Sequence, residues 1–204
     1  MGYNVYDISE CKAIEATTWG ARSKNWLNVK GHPWLFKIPK QDTAEHIVEK
    51  ITCELCNLLP SLPHARIELA TRNGQLGSMS QSVLVGHPDK TLHEFRSLVK
   101  DGNRWSSSSN RTIYAKYGAV YNIDTVTQTV NNLSPNLVVY FIRAILFDFL
   151  IGNNDRHHGN WGILKNPATG EVVFSPLYDS GSGLCSTKPE ATVKKLLARG
   201  DFLN

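Results

Sequence analysis

The segment IGNNDRHHGNWG, residues 151–162, decides the fold, and its first residue is the last of an apolar stretch over residues 137–151. It contains an aspartate, an arginine, two histidines and three asparagines. Polar side chains gathered in a loop next to a rigid element are typical of a catalytic site. Asp155 and Asn160 lie five positions apart, which gives the loop a D-x-x-x-x-N spacing.

A second polar segment, SPLYDSGSGL over residues 175–184, places one carboxylate after a short predicted strand. Asp179 is expected on the facing turn of the hairpin that begins near Asn160. Carboxylate and amide oxygens are hard ligands, and such ligands suit Mg²⁺ that is shared with phosphate groups. The two segments together therefore predict a magnesium–phosphate site.

A lysine inside an apolar strand completes the pattern. Lys37 lies in WLFKI, residues 34–38, and a buried ammonium group needs an anionic partner. Glu49 or Glu45, on the helix predicted to follow, could supply that partner. In phosphoryl transfer, one Asp accepts the proton of the attacking hydroxyl, an Asn and another Asp hold Mg²⁺, and a strand Lys holds the phosphates.

Each feature taken alone has an ordinary structural explanation, such as a lysine with its head in water or an Asp that caps a turn. Their order along the chain favours a kinase.

Other chemistries fit less well, because no histidine follows His158 to complete a ββα-metal nuclease, and neither a G-x-S-x-G nor a G-x-G-x-x-G motif is present. Cys53 and Cys56 have no second pair for zinc, and we expect free core thiols.

The predicted elements change from strands to helices along the chain. Strands are predicted over residues 13–19, 26–29, 34–38, 65–70 and 78–85, with a hairpin turn at 73–74. One helix, capped by Thr43, is predicted between the third and fourth of these strands. Beyond a hinge at 86–88, helices are predicted over residues 92–99, 123–130 (started by Asp124 or Thr125), 136–151 and 189–197, with short strands over 161–164 and 172–174. The helix 136–151 is apolar almost all round, which indicates a buried core element.

The composition is that of an ordinary globular protein. The 204 residues include 22 Lys and Arg against 18 Asp and Glu, and the formal net charge is +4. This mild charge permits an anionic ligand without requiring nucleic acid. Residues 137–151 are too few, and too interrupted by charge, for a membrane span, which needs about 20 apolar residues.

On these motifs, the chain resembles the HipA-like serine/threonine kinases, and it is most similar to the short forms that lack the N-terminal extra subdomain. The resemblance rests on LFKIP (35–39), VEKI (48–51), DRHHGNWG (155–162) and SPLYDSGS (175–182), and it covers most of the chain from about residue 13. The D-R-H-x-x-N core is also similar to that of phosphoinositide-3/4-kinases, whereas the N-W-G and P-x-x-D-x-G-S patterns favour the HipA-like branch.

The resemblance implies an α+β, bilobal protein-kinase-like fold. Residues 1–87 would form a β-rich N-lobe with one helix, and residues 88–204 a helical C-lobe. HipA-like kinases continue past the metal-binding Asp with a helical bundle, whereas 25 residues follow Asp179 here. We therefore expect a truncated C-lobe in which this bundle is missing.

The resemblance also implies the central site roles. Asp155 would be the catalytic base. Asn160 and Asp179 would ligate Mg²⁺. Lys37 would contact the α- and β-phosphates of ATP, and Glu49 would pair with it.

Further roles follow for residues around the nucleotide. The glycine-poor turn after the first strand would cover the phosphates, with Gly20 and Ser23 nearest, and Ser23 would be a candidate for autophosphorylation. The backbone around Val83 and Val85 would receive adenine. His157 would support the catalytic loop by hydrogen bonding.

The leading hypothesis is therefore a kinase that uses ATP and Mg²⁺ to phosphorylate Ser or Thr hydroxyls of a protein, including itself. The alternatives are a lipid or small-molecule kinase with the same site, and a nucleotide-binding toxin or regulatory component with little catalysis. Expected partners are a protein substrate and an antitoxin-like or completing subunit, or a second copy. We expect no direct nucleic-acid binding, no membrane span and a cytoplasmic location, with a secreted effector as the alternative.

Overall fold

The computed structural model describes residues 2–14, 24–59, 61–98 and 122–199. The strands in these ranges are β1 Val5–Asp7, β2 Lys24–Val29, β3 His32–Lys37, β4 Ile67–Arg72, β5 Gln75–Gln81, β6 Thr91–Glu94, β7 Gly162–Lys165 and β8 Val172–Phe174. The helices are α1 Glu45–Asn57, α2 Phe95–Leu98, α3 Ile123–Leu133, α4 Asn136–Ile151 and α5 Glu190–Arg199.

The first half forms a five-stranded sheet in the order β1-β4-β5-β3-β2. All its pairs are antiparallel except β1 with β4, which is parallel, and β1 is a strand that the sequence did not predict. The predicted hairpin at Asn73-Gly74 joins β4 to β5, and both residues have positive φ, 50° and 76°. This geometry suits Asn-Gly, because glycine adopts positive φ without steric cost.

The predicted first strand is only partly described. Ala13 forms an isolated antiparallel bridge with Leu27 of β2, and residues 15–23 of the predicted segment lie outside the described residues. Helix α1 packs on β4 and β5, and its Cys53 and Cys56 are buried free thiols, as predicted. Burial raises the pKa of Cys56 to about 12, so this thiol is chemically inert at neutral pH.

The second half packs helices against a three-stranded sheet in the order β6-β7-β8. An aromatic stack fills its core, with the Trp161 ring centroid 4.6 Å from that of Phe95 and 5.2 Å from that of Phe141. Phe141 belongs to α4, and Trp161 follows the polar loop. The stack therefore holds the loop between α4 and β7 against the core.

The prediction of a helix over residues 92–99 is wrong for the first half of that segment. Residues 91–94 form β6 and pair with β7, and only Phe95–Leu98 are helical. A Cβ placed on Gly162 would lie 2.2 Å from the carbonyl oxygen of His93, so only a glycine lets the two strands approach this closely. The pairing is a tertiary contact that the local apolar pattern does not encode.

The predicted helix caps are also corrected. Ala44, not Thr43, is the N-cap of α1, and its amide donates to the carbonyl of Ser186. The N-cap of α3 is Asn122 rather than Asp124 or Thr125, because the Asn122 side chain accepts a 2.8 Å bond from the Thr125 amide. In α1, a long-range backbone contact takes the place of the expected side-chain cap.

Helix α4 is buried on one face only. Leu137, Phe141, Ala144 and Phe147 lie in the core, whereas Phe149 is 86% exposed. The exposed apolar residues of α4 are Val139, Ile142, Leu146, Phe149 and Leu150. The prediction of a fully buried helix is therefore wrong for this face, over which none of the described elements packs.

Candidate active site

Lys37 stands at the end of β3 and forms two ion pairs. Its Nζ lies 2.8 Å from Oε1 of Glu49 on α1 and 2.9 Å from Oδ1 of Asp179. Burial by itself disfavours the ammonium form, but the Asp179 and Glu49 carboxylates outweigh it and raise the pKa of Lys37. Of the two glutamates considered from sequence, Glu49 pairs with Lys37, whereas Glu45 lies 3.9 Å from Lys40.

Glu49 is held on both of its carboxylate oxygens. The Ser78 hydroxyl of β5 donates to Oε2, while Lys37 donates to Oε1. Glu49 is 4% exposed, so its charge is stabilised by these contacts rather than by water. The ammonium group of Lys37 is therefore fixed in place by two strands and a helix.

Asp179 follows β8 in a turn with a positive φ of 58°. The segment before it is tied to the chain after α1, because the amide of Leu177 donates to Pro63 and the carbonyl of Leu177 accepts from Ala65. Burial would favour the neutral acid, but the nearby Lys37 holds the pKa of Asp179 well below its usual value. This carboxylate is therefore ionised at neutral pH.

The polar loop begins where α4 ends at Gly152, which has a left-handed φ of 62°. The Nδ2 group of Asn160 donates to the backbone oxygen of Asp155 at 2.8 Å, and Asn160 is 6% exposed. Asp155 itself is exposed to solvent. The D-x-x-x-x-N spacing thus closes a loop that presents Asp155 outward and leaves the Asn160 Oδ1 atom as the oxygen that could bind a cation.

His157 also hydrogen-bonds within this loop. Its amide donates to the carbonyl of Asp155 at 2.8 Å, and its Nδ1 accepts from the amide of Gly159 at 3.0 Å. The adjacent His158 is partly buried, and burial together with His157 lowers its pKa to about 4. His158 is therefore neutral at pH 7.

Arg156 connects the loop to the Asp179 turn, a role that no motif in the sequence predicts. Its guanidinium contacts Asp148 of α4, the carbonyl groups of Asn160 and Tyr178, and the hydroxyl of Ser180. One signal was available, because a charged residue inside an apolar helix such as α4 needs a partner. The identity of that partner was not encoded in any local spacing.

The remaining predicted residues are only partly placed. Val83 and Val85 lie in the turn after β5, and Val83 packs with Tyr178 on the cluster of Cys53, Ala65 and Ile67. Gly20 and Ser23 lie outside the described residues. The structure thus joins Lys37, Glu49 and Asp179 directly, and joins Asp155 to Asn160.

The oxygen atoms at this site suit Mg²⁺ and nucleotide phosphates. Mg²⁺ in proteins is held by one or two carboxylates together with water and substrate phosphates, and Asp179 with Asn160 offers such a partial set. Lys37 adds a fixed positive charge beside Asp179. The residues present therefore fit a metal–nucleotide complex, in which Asn160 and Asp179 would hold the metal and Lys37 the phosphates.

Comparison with known proteins identifies the family of this chain. The family model described as the HipA-like C-terminal domain matches residues 16–199. The chain belongs to the HipA-like C-terminal domain family. This family membership confirms the resemblance inferred from the motifs.

A curated HipA-like relative is the serine/threonine-protein kinase CtkA of Helicobacter pylori strain J99. It is 27% identical over 213 residues, which cover 97% of this chain and 62% of the relative. The chain thus spans less than two thirds of that relative's length.

A solved structure, titled as the crystal structure of a Helicobacter pylori proinflammatory kinase CtkA, superposes on this HipA-like chain with a TM-score of 0.78. The sequence identity is 24%, and the match covers 97% of this chain and 67% of that one. The likeness confirms the predicted α+β kinase fold. In the described ranges, every helix is too short or too polar to cross a membrane.

Proposed function

We propose that this HipA-like chain is a protein kinase that transfers the γ-phosphate of ATP to Ser or Thr hydroxyls in the presence of Mg²⁺. The observation that carries the proposal is the Lys37–Glu49–Asp179 cluster, which Arg156 links to the loop of Asp155. In this proposal residues 1–87 are the N-lobe and residues 88–204 the C-lobe. Similarity to the kinase CtkA supports the same activity class.

The proposed roles follow from the chemistry of each group. Asp155, exposed and ionisable, accepts the proton of the incoming hydroxyl. Lys37 places a positive charge against the phosphates, and Glu49 keeps that charge in position. Mg²⁺, when bound, neutralises the charge that develops on the phosphate oxygens.

The supporting residues have proposed roles as well. Asn160 and Asp179 hold the metal, and His157 maintains the shape of the loop through its bonds to Asp155 and Gly159. Val83 and Val85 offer backbone groups to the adenine ring. Gly20 and Ser23 lie near the phosphates in this proposal, and their role depends on the family resemblance alone.

The proposal is tested by following the transfer of labelled γ-phosphate with the wild-type chain, Asp155→Asn and Asp124→Asn. Asp124 is an exposed acid in the first turn of α3 and serves as the matched control. We expect Mg²⁺-dependent label on the chain itself or on an added protein with wild type and Asp124→Asn, and a loss of at least 100-fold with Asp155→Asn.

Three other results would each indicate a different base or a different function. Unchanged transfer by Asp155→Asn would show that Asp155 is not the base. Label found only in inositol lipids would replace the protein-kinase proposal with a lipid kinase. A rise in melting temperature with Mg²⁺ and ATP, but no phosphorylated product, would indicate a nucleotide-binding protein with little catalysis.

A further inference from the structure

The Arg156 side chain joins the end of α4, its own loop and the turn of Asp179, and only the last of these is distant in sequence. Its Nε and Nη2 atoms lie 2.8 and 2.9 Å from the two oxygens of Asp148. Its Nη1 donates to the carbonyl of Asn160 at 2.8 Å and to that of Tyr178 at 2.6 Å. Nη2 also donates to the Ser180 hydroxyl at 2.9 Å. All three guanidinium nitrogens are thus used.

The anchor of this arrangement is the buried end of α4. Asp148 is 7% exposed and also accepts a 2.7 Å bond from the Asn153 side chain. A two-bond contact between a guanidinium and a carboxylate fixes the orientation of both groups. The direction of the Nη1 atom, which faces the two loops, is therefore set by the rigid helix.

Two of the Arg156 contacts fall on the backbone of the proposed metal ligands. The carbonyl of Asn160 belongs to one ligand, and the carbonyl of Tyr178 belongs to the peptide bond that leads into Asp179. Because both oxygens bind one nitrogen, they are held within roughly 5 Å of each other. No other described side chain is bonded to both of these carbonyls.

We propose that Arg156 is a positioning residue that sets the spacing between Asn160 and Asp179, and thereby the affinity of the site for a divalent cation bound together with nucleotide phosphate. The inference rests on the proposed function, because it concerns the metal of the same site. Arg156 acts through the backbone of the two ligands and contacts neither the metal nor the substrate.

The proposal requires arginine rather than any cation at this position. Lysine keeps the charge and can still pair with Asp148, but its single nitrogen cannot span the carboxylate and both carbonyl groups. Groups that orient metal ligands contribute about 10- to 100-fold to metal affinity. We therefore expect Arg156→Lys to require about 10- to 100-fold more divalent cation for nucleotide binding.

The test measures binding rather than turnover. AMP-PNP, a non-hydrolysable ATP analogue, is titrated by calorimetry at a series of free Mn²⁺ concentrations and again in EDTA. Arg156→Lys should raise the Mn²⁺ midpoint 10- to 100-fold and leave the affinity for AMP-PNP in EDTA unchanged. Ser180→Ala, which removes one contact of the guanidinium, should raise the midpoint about threefold and keeps the proposal testable if Arg156→Lys does not fold.

Lys50→Met is the control for a structural effect. Lys50 forms a buried ion pair with Glu68 in the first half of the chain, at 2.9 Å. The Lys50→Met variant should have a lower melting temperature than wild type and the same Mn²⁺ midpoint.

Three outcomes would overturn the proposal. The first is a folded Arg156→Lys variant that has the wild-type Mn²⁺ midpoint. If Arg156→Lys does not fold, the same result with Ser180→Ala has the same meaning. The second is an equal shift in Lys50→Met, which would make the effect a general loss of stability. In both cases the wild type still binds AMP-PNP with Mn²⁺, and the proposed function stands. Wild type that fails to bind AMP-PNP at any Mn²⁺ concentration would remove the proposed function together with this inference.

Discussion

Replacement of Lys37 by methionine tests the buried ion-pair cluster directly. The change removes the ammonium group that lies 2.8 Å from Glu49 and 2.9 Å from Asp179, and it leaves the two carboxylates facing each other. Removal of one partner of a buried ion pair costs about 3–5 kcal/mol. Glu49 is 5% exposed at its side chain, but Asp179 is 33% exposed and can gain water. We therefore expect the lower end, about 3 kcal/mol of unfolding free energy at pH 7.

Urea denaturation followed by tryptophan fluorescence measures this loss. For a chain of this size, about 3 kcal/mol corresponds to a fall in melting temperature of about 6–12 °C. The matched control is Lys40→Met, because Lys40 is 58% exposed and lies 3.9 Å from its partner Glu45. Glu45 is buried, but the Lys40 ammonium group stays in water and lies beyond hydrogen-bond distance of it, so we expect the control to lose less than about 1 kcal/mol.

The difference between Lys37→Met and wild type should also depend on pH. The pKa of Asp179 is lowered in the folded state, so its stabilising contribution is present above the ordinary carboxyl pKa of 3.8 and is lost as the pH falls below it. Lys37→Met has already lost that contribution, so the difference should begin to narrow near pH 4 and narrow further as the pH falls below it. A loss of less than 1 kcal/mol at pH 7, or an equal loss in Lys40→Met, would refute the reasoning.

Three other substitutions give sharp expectations. Phe147→Ala should lower the free energy of unfolding in urea by about 3–5 kcal/mol, because this ring is 3% exposed in the core. Phe149→Ala, on the exposed face of the same helix, should lower it by less than about 0.5 kcal/mol. Equal losses would contradict the assignment of the two faces. The free energy of unfolding of wild type should fall between pH 6.5 and pH 4, and in His158→Gln this fall should be smaller by about 1–2 kcal/mol. This value allows for the partial exposure of His158. The folded pKa of about 4 lies below the ordinary 6.5, so only the unfolded chain gains a proton in this range. Gly74→Ala should lower the melting temperature, because an alanine at a φ of 76° costs about 1 kcal/mol of backbone strain. No atom lies close enough to clash with the added Cβ, so strain is the only expected effect. An unchanged melting temperature would argue against the positive-φ turn.

The sequence predicted most local elements of this chain because their signals come from near neighbours. The Asn73-Gly74 turn, the apolar spacing of α1 and the apolar length of α4 each depend on residues within one element. The parallel strand β1 and the β6 strand were not found in this way. Both strands exist through pairing with distant strands, β4 and β7 respectively.

The sequence by itself determined which chemical groups are available: Lys37 in an apolar strand, Asp155 and Asn160 at a fixed spacing, and Asp179 after a short strand. Tertiary structure decided how these groups combine. It selected Glu49 over Glu45 as the partner of Lys37, brought Asp179 to the same ammonium group across 142 positions, and placed Arg156 between the two loops. The physical reason is that buried charges need partners, and which partner is within hydrogen-bond distance depends on how the sheet, α1 and α4 pack.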